Sequence, residues 1–436
     1  MRTNQGGDGV ANLLTEHRTG PAAERDGVRS GATTPPRGSW RLLVDRDFGS
    51  FFWGKLFAAS SLYLHALVAS LAIFSATRST AAVALVAVAQ FAPQLALAPA
   101  AGAWSDRGRV GPQIVLGRLL CALGSGGLAA WWVLSPGLQG WAQAWVVVAA
   151  STAVGLGLVI GGPAMQSVPP LLVRRDELPT AMALNTAPMT IGRIVGPIAG
   201  AVIVEVAGFV PALAIAAAGQ LVFAAAMLAV RLPARPAGTA THEHADTIAG
   251  ALRHVRGDRP LLLLLLLVVC LGVGSEPVTT MAPALIAGLG GGPGAVGYLT
   301  AGFGCGALVG IVASSTMARR ARHEKLAPAA VAVLALGVVG CGLAPGLLLA
   351  VAATVLAGAG FIVASSSTST LIQLRVPAEL RGRVMALWLM AFVGSRPLAA
   401  VTAGVIADLV SVTVACLIVA TTLLAVVVVC RPARLT

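Results

Sequence analysis

The sequence predicts an all-α polytopic membrane protein, with twelve transmembrane helices in two pseudo-symmetric six-helix bundles. Three observations carry that reading. Of the 436 residues, 57% are hydrophobic and 11% charged, against about 25% charged in a soluble domain, so the chain lacks the charge to wet a water-facing surface of its size. Twelve apolar runs follow one another, each near the roughly 20 residues that cross about 30 Å of hydrocarbon. A motif at the entrance to the fifth run recurs at the entrance to the eleventh.

The runs lie at 50–76, 80–103, 111–134, 141–165, 180–204, 209–230, 260–287, 295–317, 326–344, 348–372, 384–407 and 411–430. They are continuous Ala/Leu/Val/Gly stretches without polar–apolar alternation, which excludes a β-barrel. The ninth and tenth are separated only by the turn-like Ala344-Pro345-Gly346. Residues 1–48, rich in Gly, Arg, Asp, Thr and Pro, read as a disordered cytoplasmic tail with no apolar signal-peptide core. The N-terminal bundle then covers 49–230, a polar cytoplasmic linker 231–259, the C-terminal bundle 260–430, and a cytoplasmic C-terminus 431–436.

The net charge of +13 comes from 30 Lys and Arg against 17 acids, and its distribution is informative. Seven arginines (Arg2, Arg18, Arg25, Arg29, Arg37, Arg41, Arg46) precede the first run, and most of the others fall in alternate gaps; the remaining gaps hold only Arg78. This asymmetry predicts that both termini are cytoplasmic. Trp131, Trp132, Trp141 and Trp145 flank the turn after the third run and suit an interfacial aromatic belt. Bases scattered between apolar runs are not the basic face of a nucleic-acid-binding protein. All six cysteines fall within apolar runs, so neither disulfide nor metal spacing is present. His242 and His244 read as solvated linker residues. No cofactor is implied, and no acid–histidine–metal constellation suits an enzyme.

The repeat pairs Leu171-Leu-Val-Arg-Arg-Asp-Glu177-Leu178-Pro-Thr-Ala-Met182-Ala183-Leu184 with Leu374-Arg-Val-Pro-Ala-Glu379-Leu380-Arg-Gly-Arg-Val-Met385-Ala386-Leu387. Each leads into a Gly/Pro cluster, Gly196-Pro197 through Gly200 in one half and Gly394-Ser-Arg-Pro397 through Gly404 in the other. Parallel six-span repeats with a site at their interface are one architecture of secondary transporters.

The loop Gly102-Ala-Trp-Ser-Asp106-Arg107-Gly108-Arg109 resembles the signature loop of the major facilitator superfamily, one residue short between its bases and with Val110 where a second base is common. Gly192-Arg193-Ile-Val-Gly196-Pro197-Ile-Ala-Gly200 resembles the Gly/Pro motif of that superfamily's antiporters. The repeated entrance motifs resemble the bacterial proton-coupled exporters of macrolides and of siderophores such as enterobactin. The resemblance covers about 48–430. It implies a conformational latch at Gly102, Asp106, Arg107 and Arg109, with Arg381 and Arg383 as partners on the other bundle. It also implies a bendable close-packing face at Gly192, Gly196, Pro197 and Gly200.

Charge inside a span costs about 2.5–3.5 kcal/mol at the bilayer centre even on a lenient scale, so four residues stand out. Glu276 is the only carboxylate well inside a run, in the unwinding-prone Leu271-Gly-Val-Gly-Ser-Glu276-Pro277. It can titrate with a coupling proton, neutralise a cationic substrate, or simply be hydrated at the outer interface. Arg193 and Arg396 are rough repeat counterparts that bind anionic groups, or pair with backbone carbonyls or with Glu276. His65 titrates near neutral pH or serves as a hydrogen-bonded helix histidine. Lys55 is expected to snorkel to the cytoplasmic interface. Many relatives carry an acid in the first span, and none is present here. Gln90, Gln94, Gln166, Asn185 and the Ser365–Thr370 run are polar candidates. Glu205 and Asp408 end corresponding spans and read as surface charges.

The expected function is export of an amphipathic small molecule, a drug, antibiotic or siderophore-like metabolite, by proton antiport across the plasma (inner) membrane. No nucleotide-binding loop is present to supply another drive. Its partners would be that substrate, protons and the lipid bilayer, with no nucleic acid, and the protein is expected to be a monomer. Proton-coupled import of a nutrient is the alternative within the class. A membrane-embedded transferase or a transport-inactive receptor would belong to other classes.

Overall fold

The computed structural model describes residues 37–106, 110–135, 139–174, 176–232, 253–317 and 322–435. Most of the expected tail and linker, including His242 and His244, lie outside them. Among the described residues the regular structure is entirely helical, and twelve helices are long and apolar enough to cross a membrane. We number them α1 (Arg46–Thr77), α2 (Thr80–Asp106), α3 (Val110–Leu134), α4 (Trp141–Ser167), α5 (Leu178–Ala207) and α6 (Phe209–Ala229) in the first half. The second half has α7 (Arg259–Ser275), α8 (Pro293–Met317), α9 (His323–Leu343), α10 (Leu347–Arg375), α11 (Ala378–Leu409) and α12 (Val412–Val429).

Local chemistry sets several boundaries. Asp45 caps α1, its carboxylate accepting from the backbone N–H groups of Asp47 and Phe48. Asp258 caps α7 through Leu261 N–H, and Ser411 caps α12 through Val414 N–H. Ala344-Pro345-Gly346 separates α9 from α10 as expected. Residues 39–48, expected to belong to the disordered tail, are instead largely helical. Ser39–Val44 forms a short helix whose Leu42 is buried together with Phe48 at the start of α1.

The two halves repeat the same packing. In the first, α1 lies on α5 and α6, α4 on α2 and α3, and α3 on α6. In the second, α7 lies on α11, α10 on α8 and α9, and α9 on α12. The bundles meet along two seams that exchange under the repeat, α2 with α11 and α5 with α8. The expected seventh span is not one helix. α7 ends at Ser275, Glu276 joins it to a single turn (Pro277–Thr280) that completes a span of 22 residues, and a short helix, Ala282–Gly288, follows. Pro277 has no N–H to give to the carbonyl one turn back, which accounts for the break.

Candidate functional site

The break in α7 positions the most unusual group in the molecule. Glu276 is 1% exposed, deep among apolar helices. Its Oε1 accepts from Nε of Arg396 on α11, and Thr279 and Thr280 hydroxyls lie 3.5 and 3.3 Å from its Oε2. Arg396 also stacks over Phe91 of α2, its guanidinium carbon 4.2 Å from the ring centroid. The pair therefore belongs to the C-terminal bundle and touches the N-terminal one. Of the roles the sequence left open for Arg396, pairing with Glu276 is the one observed.

Arg193, midway along α5, does not pair with Glu276. It donates to the Tyr63 hydroxyl at 3.3 Å. Three rings surround it, Tyr63 of α1, Phe303 of α8 and Phe361 of α10, with centroids 5.4, 5.7 and 5.7 Å from the guanidinium carbon. Among the described residues no carboxylate lies within ion-pair distance of it. From there an aromatic run leads along the C-terminal bundle, Phe303 to Phe361 (5.5 Å), Phe361 to Phe392 (5.9 Å) and Phe392 to Trp388 (5.6 Å). Phe392 also lies under Arg396.

Three further ionisable side chains, His65, Lys55 and Arg118, are buried inside the N-terminal bundle. His65 is buried between Ser125 of α3, 2.9 Å from Nδ1, and Ser151 of α4, 3.4 Å from Nε2. Lys55 does not snorkel. It is 3% exposed, and its ammonium donates to Asn185 at the backbone oxygen (2.9 Å) and at Oδ1 (2.6 Å). Two good acceptors on α5 stand within reach, so the side chain is held inward. Arg118 of α3 is a lone base in an apolar run, a signal that sequence reasoning can use but that does not by itself single it out. It is 3% exposed, donates to Gln220 of α6 at 3.2 Å and packs on Phe223. The hydroxyls of Thr368 and Thr370 bond back to their own helix carbonyls, as hydroxyls in membrane helices commonly do.

The glycine face of α5 is turned into its own bundle. A Cβ on Gly192 would meet the backbone of Ala59 and Ser60 at 2.8 Å, and one on Gly196 the Tyr63 Cβ at 2.9 Å; Gly200 faces Leu64 and Leu67. This stripe seats α5 on α1. The α5–α8 seam depends instead on glycines of α8. A Cβ on Gly297 would stand 2.9 Å from the Pro197 carbonyl oxygen, and one on Gly304 3.2 Å from the Arg193 carbonyl oxygen. Pro197 cannot donate to that Arg193 carbonyl, so the missing backbone hydrogen bond and the close approach coincide.

Asp408 and Glu205 are exposed, as a surface charge is, and both meet the other bundle. Asp408, at the end of α11, accepts from Ser79 Oγ (2.6 Å), Thr80 N (2.7 Å) and Ala81 N (3.0 Å) at the start of α2. In the repeat-related position, the Glu205 carboxylate at the end of α5 lies against Gly294 in the first turn of α8. Each bundle thus sets a carboxylate beside the positive end of a helix of the other. At the opposite end α2 terminates at Asp106. Gly102 lies in the last turns of α2, Arg381 is exposed and Arg383 half-buried in the first turns of α11. Arg107, Arg109 and the Asp106 side chain lie outside the described residues.

Known proteins resemble this chain in sequence and in fold. The pattern of a family described as transmembrane secretion effector matches residues 38–436. The enterobactin exporter EntS of Citrobacter koseri is 29% identical over 232 residues, 52% of this chain and 55% of the relative, and that of Shigella boydii serotype 18 is 28% identical over the same length. The chain thus spans about half the length of the curated relatives it matches. Among solved structures, the nucleoside transporter NupG superposes with a TM-score of 0.71 at 13% identity, covering 87% of this chain and 97% of that one. A D-xylose–proton symporter gives 0.66 at 15%, covering 86% and 95%. These likenesses establish the fold alone.

Proposed function

The chain belongs to the transmembrane secretion effector family of the major facilitator superfamily, and from that membership we propose that it exports an amphipathic small molecule across the cytoplasmic membrane by proton antiport. Both termini and the arginine-rich loops lie in the cytoplasm. The observation that carries the reading is the Glu276–Arg396 pair, a carboxylate at a helix break inside the membrane and in contact, through Arg396 and Phe91, with both bundles. A proton arriving from outside neutralises Glu276 and releases Arg396. The α7–α11 contact loosens, and the bundles rock about the α2–α11 and α5–α8 seams. The Asp408 and Glu205 contacts belong to the state closed toward the outside. Inward movement of one proton yields about 2.3 kcal/mol per 100 mV, enough to support concentrative export.

Exporters among the relatives and a Gly/Pro stripe like that of antiporters favour export over import. Importers among the structural neighbours are alike in fold only. The test uses the full chain in proteoliposomes carrying an internal pH dye, with an imposed proton gradient and a panel of amphipathic cargoes. Cargo movement opposite to protons, lost in Glu276→Gln, is the expected result. Movement in the same direction as protons would replace this reading with symport.

A further inference from the structure

The two seam arginines occupy repeat-related helices and similar aromatic surroundings, yet they differ in charge balance. Arg396 is neutralised by Glu276. Arg193 has three rings around it and one hydrogen bond, to a neutral phenol. A guanidinium offers five N–H donors in its plane, and here the Tyr63 hydroxyl takes one of them, at Nε. Arg193 is half-buried, and a cation partly withdrawn from water is best offset by an anion hydrogen-bonded to its donor edge. The rings come from both bundles, so whatever pairs with Arg193 is gripped by both. Along the aromatic run leading away from it, the indole N–H of Trp388 is buried without an acceptor. The unmatched polar groups along this run are donors, and the apolar surface between them is flat ring.

Resting on the reading of the seam as the transport site, we propose that the cargo is an aromatic acid. Its carboxylate or phenolate pairs with Arg193 and its planar ring packs among Tyr63, Phe303 and Phe361. A cationic cargo is rejected by the same guanidinium, so Arg193 sets specificity by repulsion as well as attraction. The inside-negative potential that draws protons in also drives an anion out, so the charge of such a cargo adds to the drive.

Calorimetric titration of the purified full chain with 1-naphthoate, 1-naphthylmethanol and 1-naphthylmethylamine tests the assignment. The acid is expected to bind at least about tenfold more tightly than the alcohol, and the amine most weakly. Arg193→Met should abolish the preference for the acid while leaving the alcohol's affinity within about twofold. Phe361→Leu should weaken all three ligands together. An amine that binds as tightly as the acid, no binding of any of the three, or an unchanged preference in Arg193→Met overturns the proposal. The comparison among the three ligands on the unmodified protein holds even if a variant fails to fold. Transport is measured separately. Naphthoate bound through Arg193 but unmoved by a proton gradient would sink the export reading and leave the site chemistry standing. Proton-driven export of other cargo with no preference for acids would do the reverse.

Discussion

Asp408 holds the backbone N–H of Thr80 at 2.7 Å, so the last turn of α11 in one bundle caps the first turn of α2 in the other. The cap also takes Ser79 Oγ and Ala81 N–H, and Glu205 stands in the repeat-related place against α8. Two exposed carboxylates thus lie on helix ends of the opposite bundle at one face, and Asp408 hydrogen-bonds there.

Removing these caps should favour the conformation open at that face. Asp408→Ala is exposed enough for solvent to discount its charge, so about 1 kcal/mol is expected, a population shift of about fivefold. Asp408→Ala with Glu205→Ala should add nearly independently. Spin-label distances across the α2–α11 and α5–α8 ends, which should lengthen in the variants, measure the shift.

Breaking the Glu276–Arg396 pair should separate stability from coupling. Glu276→Leu leaves the half-buried Arg396 guanidinium without its counter-charge and should cost up to about 3 kcal/mol, read as a lower melting temperature. Glu276→Leu with Arg396→Met should recover most of that loss, because a well-packed apolar pair of similar volume is tolerated. Proton-driven transport should stay absent in the double variant. A double variant that still couples would show that another group carries the proton.

The glycines of α5 and α8 should respond differently to a methyl group. Gly196→Ala meets Tyr63 Cβ at 2.9 Å and the Leu64 backbone at 3.0 Å inside one bundle, and should lower stability by about 1–3 kcal/mol. Gly297→Ala meets the Pro197 carbonyl across the seam. It should shift the conformational balance in the same spin-label experiment, with a smaller change in melting.

Asp258 gives a pH-dependent handle outside the membrane spans. Burial raises its carboxyl, but the hydrogen bond from Arg375, Leu261 N–H and the charges of Arg375 and His254 outweigh it and hold Asp258 below the usual carboxylate range. A depressed folded value means stabilisation that is complete above the unfolded pKa of about 3.9 and is lost as pH falls through the folded value. Asp258→Asn should therefore melt below the unmodified protein at neutral pH, and the difference should vanish in strong acid.

Much of the architecture is legible along the chain because membrane crossing is a one-dimensional constraint. Run length finds each helix, and Pro277 behind Glu276 announces the break in α7. The candidate site is less legible. Glu276, Arg193 and Arg396 declare themselves as charges in apolar runs, yet run length cannot say that Arg396 meets the carboxylate and Arg193 meets three rings. Lys55 looked like a residue bound for the interface because Asn185 is far along the chain, and Arg118 drew no notice in a run that still reads as apolar.

The sequence by itself determined the twelve crossings, the six-and-six repeat and the segregation of arginine, since each depends on composition and order. Tertiary structure decided which charges are spent. It neutralised Arg396 with Glu276 and left Arg193 caged by rings from both bundles. It also turned the α5 glycines toward α1 and placed Asp408 and Glu205 on partner helix ends. Those outcomes depend on how helices rotate about their axes and which faces meet across the seams, and in the low dielectric of a membrane interior that placement decides whether a charge is paired or available.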